Sequence, residues 1–145
     1  MKSLPPIAEL IPHGGDMVLL HEVINFDHEQ IECRADCDPA AGHPLASAER
    51  LPATALAEYG AQAMAVHGGL LAEPGQPPRP GRLVALGQLE LNVDSIDQAT
   101  TLSVTATRFG GDDAGQLYAF EIHANDQCLA RGRATVMFAH SGDQP

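Results

Sequence analysis

The chain has 145 residues, 44% of them hydrophobic but only 4% aromatic, with no tryptophan and a formal net charge of -11. That length suits one domain around a single core, filled by aliphatic side chains and alanine. The acidity argues against nucleic acid, whose phosphates require clustered Lys and Arg. No membrane-spanning run or basic-then-apolar leader is present, so neither a membrane span nor a signal peptide is expected.

In chain order, "PPIAELIPH" is a short amphipathic segment. "MVLLHEVINF" and "EQIECRADC" read as strands separated by a turn at Asn25 to His28. Asp38 to Pro52 reads as a loop, and Pro52 suits the first turn of a helix that runs to Gly68 and Gly69. This helix, "LPATALAEYGAQAMAVHGG", is apolar almost throughout, and Ala53, Ala55, Ala57, Gly60, Ala61, Ala63 and Ala65 would let a sheet approach closely.

"LAEPGQPPRPGR" is a surface loop by its Pro and Gly content. The period then changes to two. Leu83, Ala85, Gly87, Leu89 and Leu91 share one face. Leu102, Val104 and Ala106 alternate with threonines and Ser103, and "QLYAFEIHAN" alternates again. Arg131 and Arg133 stand opposite Ala130, Gly132 and Ala134, after a hairpin turn at "ANDQC". Residues 139–145 are expected to form a frayed tail of the single 1–145 domain. The expected fold is therefore α+β: a curved antiparallel sheet of about six strands around one long helix, its last four strands a meander.

The three cysteines, Cys33, Cys37 and Cys128, are odd in number, and their spacing fits neither a zinc site nor a redox pair. They read as reduced thiols of a cytoplasmic protein. No pair of histidines has metal-ligand spacing, so neither metal nor cofactor is expected.

Three stretches carry a family resemblance reaching from about Ile7 to Ala139. "IPHGGDMVLLHEV" has a Pro-His before an apolar strand; "LPATALAEYGAQAMA" has Pro52, Glu58, Ala61 and Gln62 at matching offsets; "LVALGQLEL" supplies Gly87 in a central strand. Together they resemble the hotdog fold and, within it, bacterial 3-hydroxyacyl-acyl carrier protein dehydratases. There are departures from that pattern. His43 lies fifteen residues before Glu58 rather than fourteen, Ala53 replaces a glycine, and Asp16 replaces a proline. These resemble a divergent branch like the aryl-polyene cluster dehydratases, some of which work as half of a heterodimer.

The resemblance implies elimination of water from a 3-hydroxyacyl thioester on acyl carrier protein, giving the trans-2-enoyl thioester of fatty-acid or polyketide-like biosynthesis. That chemistry needs a base for the α-proton, an acid for the departing hydroxyl and a donor for the carbonyl oxygen. Glu58 is the candidate acid, expected to be kept neutral by desolvation, with Gln62 one turn later in support. His43 matches the family's base, while His13 matches a histidine that is usually structural. His21, His28, His67, His123 and His140 read as surface or packing residues. The backbone N–H groups of Ala53 and Thr54 lie at the positive helix end and suit an oxyanion. Gly87 would let an acyl chain pass, or else marks a β-bulge. The resemblance also implies a homodimer or heterodimer with a related hotdog chain, each site drawing on both chains. Arg131 and Arg133 would meet the carrier's acidic helix or form a solvated face. Two alternatives stand beside an active dehydratase: a non-catalytic or partner-dependent subunit, and an acyl thioesterase in which Glu58 activates water or attacks the carbonyl.

Overall fold

Alternating inward and outward residues build a six-stranded antiparallel sheet in the computed structural model, which describes residues 7, 18–71, 81–111 and 115–138. The expected N-terminal amphipathic segment apart from residue 7, His13, most of the Pro/Gly-rich loop and the tail lie outside the described residues. Strand β1 (Glu22–Phe26) turns into β2 (Gln30–Cys37) through Asp27, whose Oδ1 accepts the N–H groups of Glu29 and Gln30, each at 2.8 Å. Those two bonds hold the Asp27 carboxyl below the ordinary aspartate range.

A two-residue strand β3 (Leu51–Pro52) leads through one 3-10 turn (Ala53–Ala55) into helix α1 (Leu56–Leu70). Four longer elements of the sheet's second half follow: β4 (Gly81–Leu91), β6 (Thr100–Gly111), β7 (Gly115–Ala124) and β8 (Gln127–Phe138), with a short β5 (Ser95–Ile96) pairing β3. The sheet order is β1-β2-β6-β7-β8-β4. The expected four-stranded meander is thus corrected to three strands, β6 to β8. After α1 the chain crosses to the far edge, where β4 pairs β8, and β6 then returns beside β2. Alternation belongs to one strand and does not disclose its neighbour.

The inward residues of β2 (Ile31, Cys33, Ala35, Cys37), β6 (Leu102, Val104, Ala106) and β7 (Tyr118, Phe120, Ile122) form the floor on which α1 rests. The helix has no side-chain N-cap and three glycines, so its stability comes from this packing rather than from propensity. The approach is closest at Gly60, where a Cβ would stand 2.6 Å from Cδ2 of Phe120. Gly132 on β8 makes room for the same ring, a Cβ there falling 2.9 Å from Cζ. Gly60→Ala is accordingly expected to cost about 1–3 kcal/mol through overpacking, read as a lower urea midpoint at unchanged slope.

The β7–β8 connection is the expected hairpin turn, and it has two residues, Asn125 and Asp126 at φ 52° and 64°. Both are residue types that tolerate this left-handed conformation.

Candidate active site

The loop after β2 folds back on itself at Gly42, whose φ of 75° favours glycine. Ala46 N–H donates to the His43 carbonyl at 3.1 Å, and Leu45 N–H donates to His43 Nδ1 at 3.1 Å. On the other side of the ring, Nε2 lies 2.8 Å from the Tyr59 hydroxyl. A backbone N–H can only donate, so Nδ1 is the acceptor nitrogen and the neutral ring carries its proton on Nε2. His43 therefore donates to the Tyr59 oxygen, and both of its nitrogens are occupied.

Tyr59 is buried on α1, and its hydroxyl is also hydrogen-bonded to Cys37, the buried last residue of β2. Burial lowers the half-buried His43 below the ordinary imidazole value and raises both the Tyr59 phenol and the Cys37 thiol. Imidazole, phenol and thiol are neutral together near pH 7, joined in one hydrogen-bonded row. Neither Tyr59 nor Cys37 was among the candidates from sequence. The available signal was a phenol beside Glu58 on an otherwise alanine-rich helix, and a cysteine at an inward position of β2.

Glu58 departs from expectation. It is exposed in the chain, not desolvated between helix and sheet. Thr54 and Glu58 are exposed, and Ala61 and Ala65 half-buried, so these residues at i, i+4, i+7 and i+11 form the outer stripe of the helix. Gln62 turns the other way. It is 1% exposed, and its Oε1 accepts the Leu19 N–H at 2.9 Å, which pins the entry to β1 rather than supporting Glu58 through that oxygen.

Of the two backbone N–H groups expected to hold an oxyanion, that of Ala53 is already taken. Ala53 N–H donates to the Asp94 carbonyl at 3.0 Å, so it is committed to the β3–β5 junction. Thr54 lies beside it in the 3-10 turn with its side chain exposed. Gly87 stands at the start of a register shift in β4: Gly87 pairs Arg133 and Glu90 pairs Arg131, with Gln88 between them at φ 52°. The bulge accounts for this region, and Gly87 itself has no atom within 4 Å of a would-be Cβ. Of the two arginines, Arg131 pairs with Glu90 at 3.3 Å and Arg133 lies over the Phe109 ring at 5.2 Å.

A second buried polar row lies further along α1. His67 is fully buried, its Nε2 2.7 Å from the Asp27 carbonyl and its Nδ1 2.7 Å from the Tyr118 hydroxyl. The carbonyl can only accept, so Nε2 carries the proton and Tyr118 donates to Nδ1. This confirms His67 as a packing residue, with two partners that its spacing did not reveal. Among the described helices, none is long and apolar enough to cross a membrane.

The family model described as ApeP dehydratase, ApeP-like, matches residues 5–144. No curated protein sequence matches the chain. Among solved structures, the dehydratase heterocomplex ApeI:P from Xenorhabdus doucetiae is similar with a TM-score of 0.83 at 22% identity, over 96% of this chain and 94% of that one. A mutant thioesterase from Staphylococcus aureus is similar with a TM-score of 0.64 at 12% identity, over 82% and 93%. The PaaI protein of the E. coli phenylacetic acid degradation operon gives 0.57 at 15%, over 80% and 81%. At these identities the likenesses show the shared hotdog fold.

Proposed function

Because the chain belongs to the ApeP-like dehydratase family, we propose that it is one subunit of a two-chain dehydratase that removes water from a 3-hydroxyacyl thioester carried by acyl carrier protein. The observation that carries this reading is His43. Its Nδ1 accepts from Leu45 and its Nε2 donates to Tyr59, so the neutral ring has no lone pair for a substrate proton. The base then comes from the partner chain, and Glu58 is this chain's contribution as acid. The partner's base takes the proton from C2, the C3–O bond breaks, and the Glu58 carboxyl protonates the leaving hydroxyl.

The surface supports a missing partner. Ala85, Leu86, Gly87 and Gln88 are four consecutive exposed residues on β4, one of the two edge strands of the sheet. An uncovered edge strand with apolar side chains is a template for pairing with another chain. The similar Xenorhabdus structure is a dehydratase heterocomplex. A partner covering the outer stripe of α1 would enclose Glu58 together with the reacting thioester.

The test is mass spectrometry of a 3-hydroxyacyl-acyl carrier protein incubated with the chain alone and with the chain co-purified with a second hotdog protein from its gene neighbourhood. Loss of one water only with the complex is expected. Full turnover by the chain alone would overturn the two-chain reading, and release of the carrier's thiol would make the protein a thioesterase.

A further inference from the structure

On the face of the sheet turned away from α1, three different metal-ligating groups converge. Glu121 and His123 are two residues apart on β7 and share its outer side, opposite the buried Phe120 and Ile122. Cys128, on β8, pairs directly with His123 across the hairpin. One ligand atom from each, a carboxylate oxygen, an imidazole nitrogen and a thiol sulfur, all lie within 4.8 Å of one another. Spacing along the chain gives no hint of this, because the β pairing brings Cys128 to His123.

Local structure holds the arrangement in place. The Asn125–Asp126 turn fixes the register of His123 against Cys128. Just beyond, a bulge between Ile122 and His123 turns both Leu129 and Ala130 into the core, which leaves Cys128 on the outside and Arg131 beside Glu121. Arg131 directs its Nε to Glu90 at 3.3 Å, while the Glu121 carboxylate turns to His123 Nε2 at 3.4 Å. The Cys128 thiol makes only a 3.5 Å contact with the Ala130 carbonyl, a weak bond that rotation of the side chain would release.

We propose that Glu121, His123 and Cys128 bind one borderline divalent transition-metal ion, Zn²⁺ foremost, with a fourth position open to water. Bonds of about 2.0–2.3 Å to O, N and S in a tetrahedral set separate the ligand atoms by roughly 3.3–3.8 Å. From separations of up to 4.8 Å the side chains would have to close by about 1–1.5 Å. The thiolate and imidazole select a zinc-like ion over Mg²⁺ or Ca²⁺, which take oxygen ligands. The ion would cross-link β7 to β8 on the sheet face opposite the His43–Tyr59 row, so the proposal is independent of the dehydratase reading.

Tag-free protein titrated with Co²⁺ as a spectroscopic probe tests it. One equivalent should give a thiolate-to-cobalt charge-transfer band, displaced by Zn²⁺. Cys128→Ser should abolish the band, and His123→Ala or Glu121→Gln should each weaken binding by about tenfold or more, since even partners outside the ligand set are worth that much. Cys37→Ser, whose thiol is buried, should leave the band intact. Unchanged far-ultraviolet dichroism verifies the fold of each variant. Absence of the band at saturating Co²⁺, or its survival in Cys128→Ser, overturns the site.

Discussion

Glu58→Gln in the two-chain complex is expected to lower the rate of water elimination about 10²–10⁴-fold, the usual worth of a positioned acid. The amide keeps the size of the carboxyl but has no proton to give a leaving hydroxyl. The side chain is exposed in the single chain, so the variant should melt at the wild-type temperature and still capture its partner. His43→Gln should behave in the opposite way. Its amide N–H can replace the Nε2–H donor to Tyr59 but not the Nδ1 acceptor, so the Leu45 N–H loses its partner, which costs about 1–3 kcal/mol of stability. Turnover by the folded complex should stay within a few-fold of wild type. Single-turnover mass spectrometry and thermal melts on both variants separate the roles. A His43→Gln loss as deep as that of Glu58→Gln would mean that the ring leaves Tyr59 in the complex and serves as the base.

Strand and helix positions were legible because burial has a period. Ile31, Cys33, Ala35 and Cys37 are inward, as their spacing requires, and the hairpin turn needed only Asn125 and Asp126. Pairing was less legible. Nothing in the sequence of β4 tells it to seek β8 across the sheet rather than its successor β6. The site was legible only as motifs. Position within a motif made His43 and Glu58 candidates, but the protonation state of His43 depends on Leu45 and Tyr59, which only the folded loop brings to it. An alanine-rich helix also hides its orientation. With small residues on every side, only the solved packing distinguishes the outer stripe of Thr54, Glu58, Ala61 and Ala65 from the buried face of Tyr59, Gln62, Ala63 and Val66. The helix has no apolar stripe strong enough to show which way a glutamate points.

The largest loss of stability is expected at His67. His67→Ala opens a cavity between α1 and β7 and strands both the Tyr118 hydroxyl and the Asp27 carbonyl, so about 3–5 kcal/mol should be lost. Tyr118→Phe is the milder probe. It leaves His67 Nδ1 without its donor and should cost about 1–3 kcal/mol. Burial pushes the Tyr118 phenol up to about 12, so it remains a donor at any pH at which the fold is studied. His67 is shifted the other way. Burial comes first, and Arg108 and His28 act in the same direction, outweighing the bond to the Asp27 carbonyl and the Asp27 charge. Its native pKa lies below the unfolded value of 6.5, and that of His43 is lowered too. Below that value the unfolded chain binds more protons than the folded one, so stability rises with pH there. The contribution is complete above about pH 6.5 and is lost as pH falls toward the depressed native values. Urea midpoints measured from pH 7.5 down to pH 5 should therefore decline, and the decline should be shallower in His67→Ala, which keeps the lowered His43 but not the lowered His67. An equal slope in the two proteins would mean that His67 binds protons alike in the folded and unfolded chain, contrary to its lowered native pKa.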